Sequence, residues 1–209
     1  MNTCIRILVA DDHAITRIGI SSLLETESGF EVVGQAEDGE AALREAMRTR
    51  PDVIIMDLMM PKMDGLEATR QILRELPETK ILILTTFGGA DSIAHALDAG
   101  AAGAVMKNTD TSRFTDVIRE VAAGRRVVDA EIEKMLSDNP PVPALTTRQK
   151  EILFSMTRGL SNKEIACQFE ITPDCVKDHV NVILAKLGAA TRAEAVAIAL
   201  RKHLLKIQA

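Results

Sequence analysis

Five polar residues in the first half of the chain stand where short apolar runs end, and together they could bind and transfer a phosphoryl group. They are Asp11, Asp12, Asp57, Thr85 and Lys107. Three carboxylates in one place repel one another, and Mg²⁺ relieves such repulsion because it accepts carboxylate, carbonyl and water oxygens as ligands. A lysine ammonium and a threonine hydroxyl suit phosphoryl oxygens, which leaves Asp57 as the nucleophile.

Asp57 in particular requires an explanation, because it ends the apolar run Val53-Ile-Ile-Met56. An ionised carboxylate at that depth is costly unless something compensates it. Taken singly, an aspartate at a strand end is more often the cap of the following helix. The joint occurrence of all five residues at the ends of apolar runs favours the functional interpretation.

The apolar runs and the segments between them predict the elements that position these residues. Strands are expected at Ile5–Ala10, Glu31–Ala36, Asp52–Asp57, Lys80–Thr85 and Gly103–Met106, with helices at roughly 13–27, 38–49, 65–75, 90–98 and 110–123. Apolar strands that alternate with helices indicate an α/β doubly wound, five-stranded parallel sheet covered on both faces. Ligands bind such sheets at the carboxyl ends of the strands, so the five side chains should meet at one edge.

The overall net charge of −5 is unevenly divided along the chain. Residues 145–209 hold ten Lys/Arg and six Asp/Glu, a net of +4, whereas residues 1–144 hold fifteen and twenty-four, a net of −9. An acidic module that binds cations, followed by a basic one that contacts nucleic acid, would show such a division. Three prolines within 137–144 indicate a stiff linker. We predict domains at 1–124 and 145–209, joined by a linker with a short helix at 125–144.

Composition narrows the setting in which the protein works. There is no signal-like start and no apolar run near the length of a membrane span, so we expect no membrane association. The three cysteines are odd in number and lack metal-ligand spacing, which fits a reducing cytoplasm. With no Trp or Tyr, stacking of bases on aromatic side chains is disfavoured as a binding mode.

The last 65 residues predict four short helices with clear start signals. Three segments fit the capping box, in which the residues at both ends satisfy free backbone amides; they are Thr146–Gln149, Ser161–Glu164 and Thr191–Glu194. Thr172 before Pro173 is a fourth helix start. The third helix carries an inward apolar stripe, formed by Val176, Val180, Ile183, Leu184 and Leu187.

Helix, short turn and helix at 160–187 is the pattern of a DNA-reading motif. Lys177, Asp178 and Asn181 lie off the apolar stripe in the N-terminal half of the second of these helices, where a recognition helix presents side chains to the major groove. Periodicity alone is equally compatible with a generic four-helix bundle. The motifs themselves decide between these two interpretations.

The first half resembles the receiver domain of bacterial two-component response regulators. The resemblance rests on Val9-Ala-Asp-Asp-His13, Asp57-Leu-Met-Met-Pro-Lys-Met-Asp-Gly65, Leu84-Thr-Thr86 and Val105-Met-Lys107, and covers about residues 4–124. It implies a flavodoxin-like fold and phosphorylation of Asp57 by the phosphohistidine of a sensor kinase. It also implies Mg²⁺ held by Asp12, Asp57, the backbone carbonyl of Met59 and, through water, Asp11.

The last domain closely resembles the LuxR-type helix-turn-helix, so the whole chain resembles a NarL/FixJ-class response regulator. The motifs are Leu145-Thr-Thr-Arg-Gln-Lys-Glu-Ile-Leu153, Gly159-Leu-Ser-Asn-Lys-Glu-Ile-Ala166, Val176-Lys-Asp-His-Val180 and Leu184-Ala-Lys-Leu-Gly188. The resemblance implies that Lys177, Asp178, Asn181 and Lys186 contact double-stranded promoter DNA. It further implies a homodimer when phosphorylated, with the dimer contact on the last helix at about Arg192–Leu205.

Three positions depart from the family patterns, and two of them, Ala104 and Asp178, keep another function open. Ala104 replaces the usual aromatic residue of the fifth strand, Gln149 replaces a usual Glu, and Asp178 is an uncommon acid at a base-reading position. One alternative is a regulator that acts by protein interaction and has lost DNA binding. Another is a hydrolase with an aspartyl-phosphate intermediate, but that pattern requires a second Asp where this chain has Met59.

Overall fold

The computed structural model describes residues 4–86, 90–138, 143, 145–202 and 204–205, and the chain forms two compact units, Met1–Asn139 and Pro140–Ala209. The first unit is a sheet covered by helices, and the second is helical. Among the described residues, no helix combines the length and the apolar character needed to cross a bilayer.

The first unit contains a parallel sheet with helices on both faces, which confirms the predicted α/β doubly wound fold. Its strands are β1 (Ile5–Ala10), β2 (Phe30–Ala36), β3 (Val53–Asp57), β4 (Lys80–Thr85), β5 (Gly103–Met106) and β6 (Val127–Val128), in the order β2-β1-β3-β4-β5-β6. Its helices are α1 (Ala14–Thr26), α2 (Gly39–Thr49), α3 (Gly65–Glu75), α4 (Ala90–Asp98), α5 (Thr111–Ala122) and α6 (Ala130–Asp138).

The side chains of the central strands point alternately to the two faces of the sheet and form two separate apolar cores. In β3, Ile54 and Met56 pack in one apolar cluster, whereas Val53 and Ile55 pack in the other. Successive side chains of a strand point to opposite faces, so a strand buried on both sides is apolar throughout. All residues of β3 are buried, and the run therefore ends with the carboxylate of Asp57 inside the protein.

The prediction of five strands was wrong, because β6 extends the sheet to six. Val127 and Val128 pair in parallel with Gly103 and Ala104 of β5. A two-residue strand has too few positions to show a period, and this one follows two arginines in the sequence.

The short helix that was predicted inside the linker packs on the first unit. Ile132 of α6 is fully buried in the cluster that also contains residues of α4 and β5, and the compact unit extends to Asn139 rather than ending at residue 124. The sequence of α6 does not show this packing, because the helix has nine residues with one fully buried position, and the residues it packs against are distant along the chain. Most of the proline-rich segment predicted as linker lies outside the described residues.

The second unit has the four predicted helices, which are α7 (Thr147–Thr157), α8 (Asn162–Gln168), α9 (Pro173–Leu187) and α10 (Arg192–Arg201). Capping boxes begin α7 and α8, and the Thr172 side chain caps α9. The third predicted box is only half formed: Thr191 accepts from the backbone N–H of Glu194, but the Glu194 carboxylate accepts from Ala190 N. The apolar stripe of α9 packs in the core of this unit.

Candidate functional site

Strand register places the predicted acidic residues at one level of the sheet edge. Ala10 pairs with Met56, so Asp11 and Asp57 follow at the same height on adjacent strands. Their residues are 1% and 4% exposed, which makes these two carboxylates the buried part of the group, whereas Asp12 is exposed. β4 pairs with β5 so that Thr85 lies opposite Met106, and Lys107 follows immediately.

Lys107 is the cation that holds the two buried carboxylates together. Its Nζ lies 2.8 Å from Asp11 Oδ2 and 3.3 Å from Asp57 Oδ2. The other carboxylate oxygen of Asp57 accepts a hydrogen bond from the backbone N–H of Leu58, at 2.9 Å. One oxygen of Asp57 is thus fixed by the backbone, and the other faces the ammonium.

The charges of this pocket shift two pKa values in the same direction. Burial raises the pKa of Asp57, and the nearby carboxylates of Asp11 and Asp12 act in the same sense, which outweighs the attraction of Lys107. Burial by itself would lower the pKa of Lys107, but its contacts with Asp11 and Asp57 raise it above the ordinary value. The pocket therefore holds a firmly charged ammonium and more negative charge than that ammonium neutralises.

The donor set fits a hard divalent cation. One ligand atom from each of Asp11, Asp12, His13 and Asp57 lies within 4.8 Å of the others. The buried Oδ2 of Asp11 lies 2.8 Å from Lys107 Nζ and accepts no further hydrogen bond from the described residues. A buried carboxylate oxygen with one donor, beside further carboxylates, matches the oxygen ligands that such ions take.

His13 is the member of this group that the sequence did not single out as a site residue. Its Nδ1 lies 2.7 Å from Asp12 Oδ1 and 3.5 Å from Asp11 Oδ1, and its backbone N–H donates to Asp11 Oδ1 at 2.8 Å. Its position directly after the two aspartates was the signal that could have identified it. His13 orients both carboxylates from the solvent side.

The remaining predicted residues of the pocket are Thr85 and Met59. Thr85 is buried, and its hydroxyl donates to the backbone carbonyl of the next residue, Thr86, at 3.1 Å. Met59 follows β3, and its residue is 53% exposed. On β5, Ala104 is fully buried in the same apolar cluster as Ile132 of α6.

Asp57→Asn is expected to stabilise the first unit in the absence of divalent cations. Because folding raises the pKa of Asp57, the folded protein binds more protons than the unfolded one between pH about 4 and that raised pKa, and its stability falls as pH rises through this interval. The neutral amide removes this loss, so at pH 7 the free energy of unfolding should increase by about 0.5–2 kcal/mol.

Calorimetry of the full chain in chelator, across pH, measures this difference. The gap between the two proteins should widen as pH rises through the raised pKa and then stay constant. Glu78→Gln, at an exposed position in the turn between α3 and β4, is the matched control and should leave the transition unchanged. A lower stability of Asp57→Asn at neutral pH would contradict the electrostatic account.

In the second unit, three of the predicted DNA-contacting residues share one exposed face of α9. Lys177, Asp178 and Asn181 are exposed, whereas the adjacent Val176 and Val180 are buried. Residues three and four positions apart lie on one side of a helix, so Asn181 lies beside both Asp178 and Lys177, and the three side chains can enter a groove together.

Val182 belongs to the same exposed face and was missed by the sequence interpretation. It is 43% exposed and stands four residues after Asp178, and that spacing was the available signal. A methyl-bearing side chain at this place suits contact with thymine methyl groups. The exposed face of α9 thus combines a cation, an anion, an amide and an apolar group.

Two arginines tie the helices around α9 to the turns that set its position. Arg148 of α7 donates to the carbonyl of Phe169 at 3.1 Å, and its guanidinium lies 4.2 Å from the centre of the Phe169 ring. Arg192 of α10 donates to the carbonyl of Leu160 and to Asn162 Oδ1. The start of α8 and the turn before α9 are therefore held by charge-assisted hydrogen bonds.

Lys186, the fourth predicted contact, is partly buried and bonded within its own unit. Its Nζ donates to Gln149 Oε1 at 2.9 Å, and the same oxygen accepts from the backbone N–H of Thr146. The structure does not place Lys186 with the exposed residues Lys177, Asp178 and Asn181. Gln149 completes the capping box of α7 in place of the usual Glu.

Comparisons with known proteins agree with this arrangement of two units. The profile of the response regulator receiver domain matches residues 7–119, and that of the bacterial regulatory proteins of the luxR family matches residues 143–199. The response regulator protein VraR of Staphylococcus aureus is 40% identical over 207 residues, which cover 97% of this chain and 99% of the relative.

Solved structures of response regulators are also similar to this chain. The crystal structure of the response regulator ChrA of a heme-sensing two-component system is 32% identical, with a TM-score of 0.58, and the match covers 97% of this chain and 99% of that one. A LuxR-family response regulator from Aurantimonas sp. is 36% identical, with a TM-score of 0.61 over 65% of this chain and 97% of that one. The chain therefore belongs to the response regulators that join a receiver domain to a LuxR-type helix-turn-helix, and it is a phosphorylation-controlled, DNA-binding regulator.

Proposed function

We propose that Asp57 accepts the phosphoryl group of a sensor histidine kinase in a Mg²⁺-dependent reaction within residues 1–124. The modification then promotes dimerisation and promoter binding by residues 145–209. The observation that carries the assignment of Asp57 is its buried carboxylate at the end of β3, 3.3 Å from the ammonium of Lys107 and beside two further aspartates. An aspartate with this raised pKa and these charged neighbours has no evident structural role as a cap.

In the proposed reaction a carboxylate oxygen of Asp57 attacks the phosphorus, and the phosphorus–nitrogen bond of the donor histidine breaks. The bonding electron pair leaves with the imidazole nitrogen, so an acyl phosphate replaces the phosphohistidine. Lys107 neutralises charge on the transferred group, and the Thr85 hydroxyl turns from the carbonyl of Thr86 to a phosphoryl oxygen. Positioning and charge neutralisation are the main contributions of a protein to phosphoryl transfer.

Mg²⁺ supplies charge neutralisation and orientation of the phosphoryl oxygens when it is bound. Asp12, Asp57 and the backbone carbonyl of Met59 are the proposed direct ligands, and Asp11 acts through water. This assignment is supported by the mutual proximity of the carboxylates of Asp11, Asp12 and Asp57. His13 contacts Asp12, and Lys107 contacts Asp11.

Phosphorylation is expected to raise the dimer fraction and the affinity for promoter DNA together. The acyl phosphate adds up to two negative charges to a pocket that already has an excess of them. A complete switch requires about 5.5 kcal/mol of differential stabilisation. Because Ala104 replaces the usual aromatic residue, we expect a shallower response, with measurable dimer before phosphorylation.

Sedimentation of the full chain with and without acetyl phosphate and Mg²⁺ measures the dimer, and duplex titration in the same samples measures DNA binding. Asp57→Asn treated identically is the control and should stay at the unmodified level. Identical monomers in both states at micromolar concentrations would contradict dimerisation. Dimerisation without retention of any promoter fragment would favour the alternative regulator that acts by protein interaction.

A further inference from the structure

The loop between β3 and α3, residues 58–64, is closed on itself and attached to a second element. At its base, the backbone N–H of Gly65 donates to the carbonyl of Leu58 at 3.1 Å. At its far end, the backbone N–H of Gly39, the first residue of α2, donates to the carbonyl of Met63 at 3.0 Å. The loop that contains Met59 is thus fixed at both ends by backbone hydrogen bonds.

An ion pair reinforces the attachment at the far end. Lys62 Nζ lies 2.5 Å from Asp38 Oδ2, and the other oxygen of Asp38 accepts from Ala41 N to cap α2. The Asp38 side chain is 2% exposed, whereas that of Lys62 is 57% exposed. The nearly buried carboxylate of Asp38 is therefore paired with a cation of the loop, Lys62, which lies 24 residues later in the sequence.

The loop backbone is pressed against its neighbours, and Lys62 has an uncommon conformation there. Its φ is +59°, in the left-handed region that a non-glycine residue keeps only when its surroundings enforce it. A Cβ atom on Gly39 would overlap the carbonyl of Met63, and one on Gly65 would overlap the carbonyl of Asp57. Both glycines are required for this close approach, and together with the ion pair they define one loop position.

We propose that the Asp38–Lys62 ion pair positions the metal and phosphoryl-transfer site by holding the 58–64 loop in place. The inference rests on the proposed function, because the loop supplies the carbonyl of Met59 as a proposed ligand. Holding that carbonyl in place before the ion arrives removes the cost of ordering the loop on binding. Lys62 and Asp38 touch neither ion nor substrate and act through the backbone between them.

Two substitutions remove the ion pair while keeping the local backbone. Lys62→Asn removes the cation, and asparagine tolerates the left-handed conformation. Asp38→Asn removes the charge but keeps a side-chain oxygen for the cap of α2. Partners behind metal ligands typically contribute about 10–100-fold in affinity. We expect each variant to weaken Mg²⁺ binding by about tenfold, and the double variant to be no worse than either single, because both remove the same interaction.

Calorimetric titration of the full chain with Mg²⁺ tests the proposal directly. Arg48→Gln is the matched control, since it breaks an ion pair of the same 2.5 Å length on α2 that does not involve the loop. The Mg²⁺ affinity of Arg48→Gln should equal that of the wild type. The difference between Lys62→Asn and the wild type should also shrink at high salt, because the Lys62 ammonium is largely exposed and its charge is screened.

Phosphorylation by acetyl phosphate gives a second readout. At saturating Mg²⁺ both variants should approach the wild-type rate, while the Mg²⁺ concentration at half-maximal rate rises by about tenfold. Variants with affinities within twofold of the wild type, or a control that weakens equally, would overturn the positioning role. A wild-type chain that binds no Mg²⁺ would overturn the proposed function itself.

Discussion

Asp57→Asn is expected to abolish phosphoryl uptake, from acetyl phosphate and from a phosphorylated histidine kinase alike. The amide is neutral and a poor nucleophile, so no acyl phosphate forms even though the side chain has nearly the same shape. The substitution leaves Lys107 paired with Asp11 at 2.8 Å, and the fold should be retained. Intact-mass measurement after incubation detects the added phosphoryl group, and circular dichroism confirms the fold.

Two controls complete this experiment. Chelation of Mg²⁺ should prevent labelling of the wild type, because the carboxylates of Asp11, Asp12 and Asp57 then repel the incoming anion with only the charge of Lys107 to offset them. Asp98→Asn, at an exposed position on α4, should be labelled as efficiently as the wild type. Undiminished labelling of Asp57→Asn would show that another residue accepts the phosphoryl group and that the assignment of Asp57 is wrong.

Lys177→Ala and Asn181→Ala are expected to weaken binding to the preferred promoter duplex by about 1–3 kcal/mol each and to change binding to a scrambled duplex little. Both residues lie on the exposed face of α9, one turn apart, so both can reach base edges in the same groove. Lys186 is held by Gln149 and serves as the contrast. If Lys186 contacts phosphate, Lys186→Gln should weaken both duplexes alike and lower the salt slope by about one.

Asp178→Ala is expected to leave the affinity for non-specific DNA unchanged or to increase it. Removal of an exposed anion from the DNA-facing side reduces repulsion from phosphates, so binding to the scrambled duplex should be equal or tighter. Discrimination between the duplexes should relax, because a carboxylate at this position can accept a hydrogen bond from cytosine N4.

Titration of these variants against both duplexes at two salt concentrations separates base reading from backbone contact. Thermal unfolding of each variant identifies any loss that arises from the fold instead. If Asp178→Ala weakens both duplexes equally, the residue supports the helix and does not read bases. Equal losses on both duplexes for Lys177→Ala would likewise assign that lysine to the phosphate backbone.

The sequence by itself determined the fold class, the first five strands and the residues that end them. The continuous apolar runs that end at Asp57 and Thr85 are local patterns, and the crossing rules of parallel sheets carry the side chains at those ends to one edge. The starts of α7, α8 and α9 are equally local, because a capping residue bonds to amides only a few positions away. Such features depend on neighbours in the chain, and the sequence contains those neighbours.

The tertiary structure alone decided the contacts between residues that are distant in sequence. β6 and α6 become part of the first unit because Val127 pairs with Gly103 and Ile132 is buried in a core made by other elements. The ion pair between Asp38 and Lys62 joins two loops that share no period or motif. Burial and long-range pairing depend on how the elements pack in three dimensions, and no local pattern records that packing.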